Sequence, residues 1–132
     1  MNAQSICKAL GDTGCYYLCL LKLVGRHDEA IMLYRQAVAL GAIELDCYVK
    51  NPALVLASAS HGKWNVRHEG ADYRCKNGEQ EILRFERKTT TTTYAHFVVG
   101  DGSGHVMYDP LDNSATVAQG KLVSKRIVSS VA

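Results

Sequence analysis

The stretch "LGDTGCYYLCLLKLVG", Leu10 to Gly25, puts a cysteine directly behind a glycine, where a loop turns into an apolar segment. A helix N-terminus carries about half a positive elementary charge. A thiol placed there is stabilised as thiolate, the nucleophilic form. The peptide N–H groups of the same first turn point outward, where they can hold an oxyanion. Cys15 is therefore the candidate nucleophile. Such a thiol needs a base, and the base needs a partner that fixes its orientation. The stretch "YAHFVVGDGSGHVMYDPLDN" supplies both: His96 opens an apolar run and Asp109 closes the next one. The Gly-rich turn between them folds the two runs into a hairpin. His96 and Asp109 then become cross-strand or diagonal neighbours, which is what a carboxylate needs to hold an imidazole in one tautomer.

Other residues compete for these roles. His105 is an alternative base, but it falls in the hairpin turn. His27, His61 and His68 flank the ends of elements and read as surface. Asp101 and Asp112 read as turn residues, and Trp64 as core. Cys19 lies one helical turn after Cys15, past the unpaired N–H groups, and reads as core packing. Cys7, Cys15 and Cys19 with a histidine would make a zinc site, but the second close ligand pair usual for structural zinc is missing. The expectation is no metal and no cofactor.

These residues need elements to position them. Gly11 to Gly14 reads as a loop, with Asp12 and Thr13 as cap candidates. From Cys15 a helix follows that is apolar nearly all round, and so buried. Asp28 and Glu29 open a second helix that ends at Gly41. Ile43 to Val49 reads as short and extended. Asn51-Pro52 starts a third helix, with Asn51 as cap and Pro52 in the first turn, ending near Gly62. The second half, "KWNVRHEG", "EILRFERKTTTTT", "YAHFVVGD", "HVMYDPL" and "KLVSKRIVSSV", is rich in β-branched and aromatic residues separated by turn signals. The threonine run Thr89 to Thr93 reads as strand on propensity. Helices followed by an antiparallel sheet make an α+β plan. The 132 residues fit a single domain over 1–132.

Composition narrows the class. A net charge of +2 with scattered basic residues argues against nucleic acid. No window is apolar over the roughly 18 residues that a membrane span needs. The start "MNAQSICKALGDTGC" lacks the charged and apolar regions of a secretory signal. With an odd count of five cysteines, the expectation is a reduced, cytoplasmic setting. Oligomeric state is not readable from the sequence.

A Gly-Cys entering an apolar helix, followed far downstream by "AHFVVG" and "YDPL", resembles the papain-like cysteine peptidase fold. It is most similar to the C39-like group of bacterial and phage proteins. The resemblance covers the first helix and the late hairpin. It implies an α+β papain-like fold, N-terminal helices packed on a C-terminal antiparallel sheet. It also implies hydrolysis of peptide or amide bonds in a peptide or protein substrate by Cys15 as nucleophile, His96 as base and Asp109 as orienting carboxylate. The chain departs from the pattern at one point. Many papain-like enzymes place a Gln or Asn shortly before the cysteine, in the oxyanion hole. None of the six residues from Ala9 to Gly14 has an amide side chain, and the nearest glutamine is Gln4. Loss of one such donor costs about a hundred- to a thousandfold in rate. Two alternatives therefore accompany the peptidase: a catalytically silent papain-like binding or regulatory module in a phage or mobile-element context, and an acyltransferase or deamidase on the same site.

Overall fold

A computed structural model describes residues 12–131. Helix α1 spans Asp12–Leu23, α2 Ala30–Ala39 and α3 Pro52–Ser60, and one 3₁₀ turn, His27–Glu29, precedes α2. Strands follow at Trp64–Gly70 (β1), Glu79–Lys88 (β2), Thr93–Gly100 (β3) and Val106–Tyr108 (β4). A short helix α4, Ala115–Gln119, then leads into β5, Lys121–Ser130. The five strands form one antiparallel sheet in the order β1-β5-β2-β3-β4. The last strand therefore lies in the middle, between the first two. This is the α+β plan expected, with the three longer helices first in the chain.

Strand side chains alternate between faces, so the pairings Arg84↔Phe97, Ile82↔Val99 and Ile82↔Arg126 define one face of the sheet. There Ile82, Val99 and Val128 join Leu18, Leu21, Val55 and Leu56 of α1 and α3 in the main core. The opposite face carries Glu81, Leu83, His96, Val98, Lys125 and Ile127, all buried. α1 packs along β3, and α4 crosses β2 and β3.

Local sequence accounts for several boundaries. The Asn51 side chain accepts the Leu54 N–H at 3.1 Å, with Pro52 in the first turn of α3. Ile43 and Val49 meet in a single bridge. Asp101 accepts the N–H groups of Ser103 and His105, and Gly102 and Gly104 take positive φ, which closes the β3–β4 turn.

Three expectations need correction. Asp12 to Gly14, read as a loop with Asp12 and Thr13 as cap candidates, lie within helix α1. Thr89 to Thr92 form the β2–β3 turn and only Thr93 enters a strand. The Thr89 hydroxyl accepts the Thr92 N–H, and the Thr89 N–H bonds the Thr92 carbonyl at 2.8 Å. Hydroxyl-to-backbone bonding of this kind outweighs β-propensity in a turn. Helix α4 was not foreseen, because five residues are too few to show a period.

Gly120 joins α4 to β5. A Cβ there would stand 2.3 Å from the Glu86 carbonyl oxygen and 2.4 Å from that of Thr116. Both are backbone atoms and cannot swing aside. Gly120→Ala should therefore cost about 1–3 kcal/mol, as overpacking does, and urea denaturation checks this.

Candidate active site

Cys15, His96 and Asp109 come from α1, β3 and the residue after β4. Val99 pairs with Tyr108; continued by one step, that register puts Asp109 opposite Val98 and diagonal to His96. The His96 Nε2 and Asp109 Oδ1 atoms are 2.7 Å apart, and both side chains are buried. Asp109 is held further by the Leu111 N–H on Oδ1 at 2.8 Å and by the Ser114 N–H on Oδ2 at 3.0 Å. Burial pushes the Asp109 carboxyl up, but the bonds from His96, Leu111 and Ser114 outweigh it and hold the group below its ordinary value. An ionised carboxylate only accepts hydrogen bonds, so Nε2 of a neutral His96 carries the ring proton. Nδ1 is then the basic nitrogen.

The outer edge of β3 is paired with β4 only at Val99 and Gly100. Next to His96, the Phe97 N–H donates instead to the Cys15 sulfur at 3.3 Å. A donor aimed at sulfur favours the thiolate. The tertiary fold thus brings the α1 thiol to the backbone beside the imidazole, across 82 positions of sequence. Cys15 is only 1% exposed and belongs to the main core. Gln4 and Cys7 lie outside the described residues.

The competing candidates fall elsewhere. His105 pairs with Asp101 at 3.1 Å in the turn, its side chain 80% exposed. His61 is exposed at the C-cap of α3. His27 packs edge-on against Tyr108, and Trp64 is half-buried against the core. Cys19 is fully buried, as a core residue should be. Burial, then Asp46, pushes the Cys47 thiol up to about 12; burial, then Glu81, pushes Cys75 up to about 11. Among the described residues no group of three or more His, Cys, Asp or Glu could hold a metal ion. None of the described helices is long and apolar enough to cross a membrane.

Sequence reasoning missed the Ser114 and Leu111 amides that hold Asp109, and the Phe97 amide that meets the thiol. The "DPLDNS" run carried a signal for the first two, since Asp before a turn commonly accepts N–H groups a few residues on. Backbone donors such as Phe97 leave no trace in residue types.

The Asp109 bonds have a consequence for stability. A carboxyl whose folded pKa is depressed contributes stability that is fully present above its unfolded pKa, about 3.9. That stability is lost as pH falls through the lower folded value. Urea midpoints of the wild type and Asp109→Asn should therefore differ at pH 6 and draw together as the pH falls through the lowered folded value.

Fold and site together define a small α+β protein with a buried Cys, His and Asp set at one edge of its sheet. Residues 1–130 match the sequence model of the family described as "Protein of unknown function, DUF261", and the chain belongs to that family. No curated protein and no solved structure matches it.

Proposed function

We propose that this chain is a papain-like cysteine hydrolase of peptide or amide bonds. The observation that carries the reading is the buried His96–Asp109 bond, together with the Phe97 N–H, one residue on, that meets the Cys15 sulfur. In the proposed cycle the Cys15 proton passes to His96 Nδ1 while Asp109 holds Nε2–H. The thiolate adds to the substrate carbonyl, and backbone N–H groups near Cys15, with Gln4, stabilise the oxyanion. His96 then returns the proton to the departing amine as the C–N bond breaks. Water, deprotonated by His96, hydrolyses the thioester and restores the thiol. An amine in place of water would give acyl transfer.

The 1% exposure of Cys15 favours a second reading, a catalytically silent binding module. The thiol is covered in this conformation, so attack on a substrate requires the cover to open. Iodoacetamide labelling of the native chain between pH 5 and 9, mapped by mass spectrometry, separates the two. The hydrolase reading expects Cys15 to react well below the ordinary thiol pKa of about 8.5, ahead of Cys47 and Cys75. A Cys15 that reacts only after denaturation overturns it in favour of the binding module.

A further inference from the structure

A cleft of about 380 Å³ opens beside the candidate site on the helix-covered face of the sheet, and Tyr16, Tyr48, Lys50, His68, Phe97 and Arg126 line it. Its wall begins one residue from Cys15 and one from His96. The Tyr16 and Phe97 rings are stacked, with centroids 4.6 Å apart. The Arg126 guanidinium lies 5.4 Å from the Phe97 ring centroid, and one of its nitrogens donates to the Ser124 hydroxyl at 2.9 Å. Arg126 is half-buried, yet it forms no ion pair with any carboxylate among the described residues. Lys50 stands exposed at the rim, and no Asp or Glu among the described residues lines the cleft. The Tyr16 hydroxyl is buried without a hydrogen-bond partner among the described residues, and burial pushes its pKa up to about 12, so it remains a neutral donor. Burial and then the Arg126 charge push His68 below its ordinary value; this favours neutral His68 and leaves Arg126 and Lys50 as the cations.

A guanidinium held against aromatic rings with no carboxylate partner suits a planar anion. We propose that this cleft is a substrate subsite for a carboxylate-bearing residue of a peptide, with Arg126 as the anion anchor and the Tyr16 and Phe97 rings against the apolar part of the chain. The inference rests on the cysteine hydrolase reading, because it is the nearness to Cys15 that makes the cleft a substrate subsite. The carboxylate is either an acidic side chain or the free C-terminus of a peptide.

The test uses the Cys15→Ala chain, which binds without turnover. It is titrated with acetyl-Ala-Glu-Ala-Ala-amide, its Gln and Lys counterparts, and the Gln peptide with a free C-terminal acid. Binding is followed by the NMR amide shifts of Tyr16, Phe97 and Arg126. A carboxylate peptide should bind about tenfold more tightly than the neutral Gln amide, and Arg126→Gln should erase that preference. Lys50→Gln, at an exposed position, should lower it about two- to threefold without touching the fold. A gain for the Glu peptide alone identifies a side chain as the source, and a gain for the free acid alone identifies a C-terminus. Equal binding of all four peptides, or a preference that survives Arg126→Gln, overturns the inference. Iodoacetamide labelling of wild-type Cys15 judges the hydrolase reading separately. A carboxylate preference beside an inert Cys15 overturns the substrate role and leaves an anion-binding groove. A reactive Cys15 with no charge preference overturns only the subsite.

Discussion

Alanine in place of His96 should slow labelling of Cys15 by iodoacetamide near pH 7 by about a hundredfold or more, the usual contribution of a positioned base. The loss follows from the geometry. Asp109 occupies Nε2, so the ring offers Nδ1 as the basic atom, and the neighbouring Phe97 N–H holds the sulfur at 3.3 Å. Removing the imidazole leaves the Phe97 peptide donor at a sulfur that is 1% exposed, where burial opposes charge. The pH profile is the sharper measurement. In the wild type Cys15 should react below pH 8, whereas in His96→Ala the rise should move towards or above the ordinary thiol range. Cys47 and Cys75 serve as internal references, since both thiols are raised by burial and His96 touches neither. If Cys15 labels equally fast in both proteins, His96 is not its base.

Glu81→Ala should destabilise the fold by about 3–5 kcal/mol, the cost of breaking a buried ion pair by removing one partner, and lower the thermal midpoint by roughly 10–20 °C. The Glu81 carboxylate is fully buried on the sheet face that also carries His96. It accepts the Lys125 ammonium at 2.8 Å and the N–H groups of Gly102 and Gly104 at 2.9 Å each, and the Cys75 thiol lies at 3.8 Å. Lys125 also donates to the Tyr73 carbonyl at 2.6 Å. Alanine at 81 therefore strands a buried ammonium and two peptide donors together. Lys125→Met strands only the carboxylate, which keeps its two glycine N–H groups, so its loss should be the smaller of the two. Gly102 and Gly104 form the turn that carries the chain from His96 to Asp109. Glu81→Ala should accordingly slow Cys15 labelling at temperatures where the variant remains folded. Calorimetry of both variants, paired with the labelling rate, tests the two claims. A Glu81→Ala chain with an unchanged midpoint would show that water reaches this pair.

The sheet left a space for this carboxylate. A Cβ on Gly100 would stand 2.4 Å from Glu81 Oε2, so the glycine before the β3–β4 turn is required by close approach rather than by turn geometry. In the sequence Gly100 looks like one more turn residue of "GDGSG". Glu81 and Lys125 look like the solvated charges of two half-exposed strands. Nothing local marks them as partners, because their contact exists only once β5 lies beside β2.

Short-range chemistry was legible. Asn51-Pro52 capped α3, the Asp101 to Gly104 run closed a hairpin, and the residue types at 15, 96 and 109 named a thiol, an imidazole and a carboxylate. Thr89 to Thr92 misled because propensity is averaged over contexts, whereas here one hydroxyl bonded its own turn.

By itself the sequence determined the order of the three longer helices and the five strands, and the turn that sets His96 diagonal to Asp109, since these depend on residues within about a dozen positions of each other. The tertiary structure alone decided that β5 enters between β1 and β2, that Glu81 meets Lys125, that Cys15 reaches the Phe97 amide, and that Tyr16 joins Arg126 in one cleft. Those contacts join residues some 40 to 110 positions apart. They form when faces that each need burial find one another, and no local pattern encodes which faces will meet.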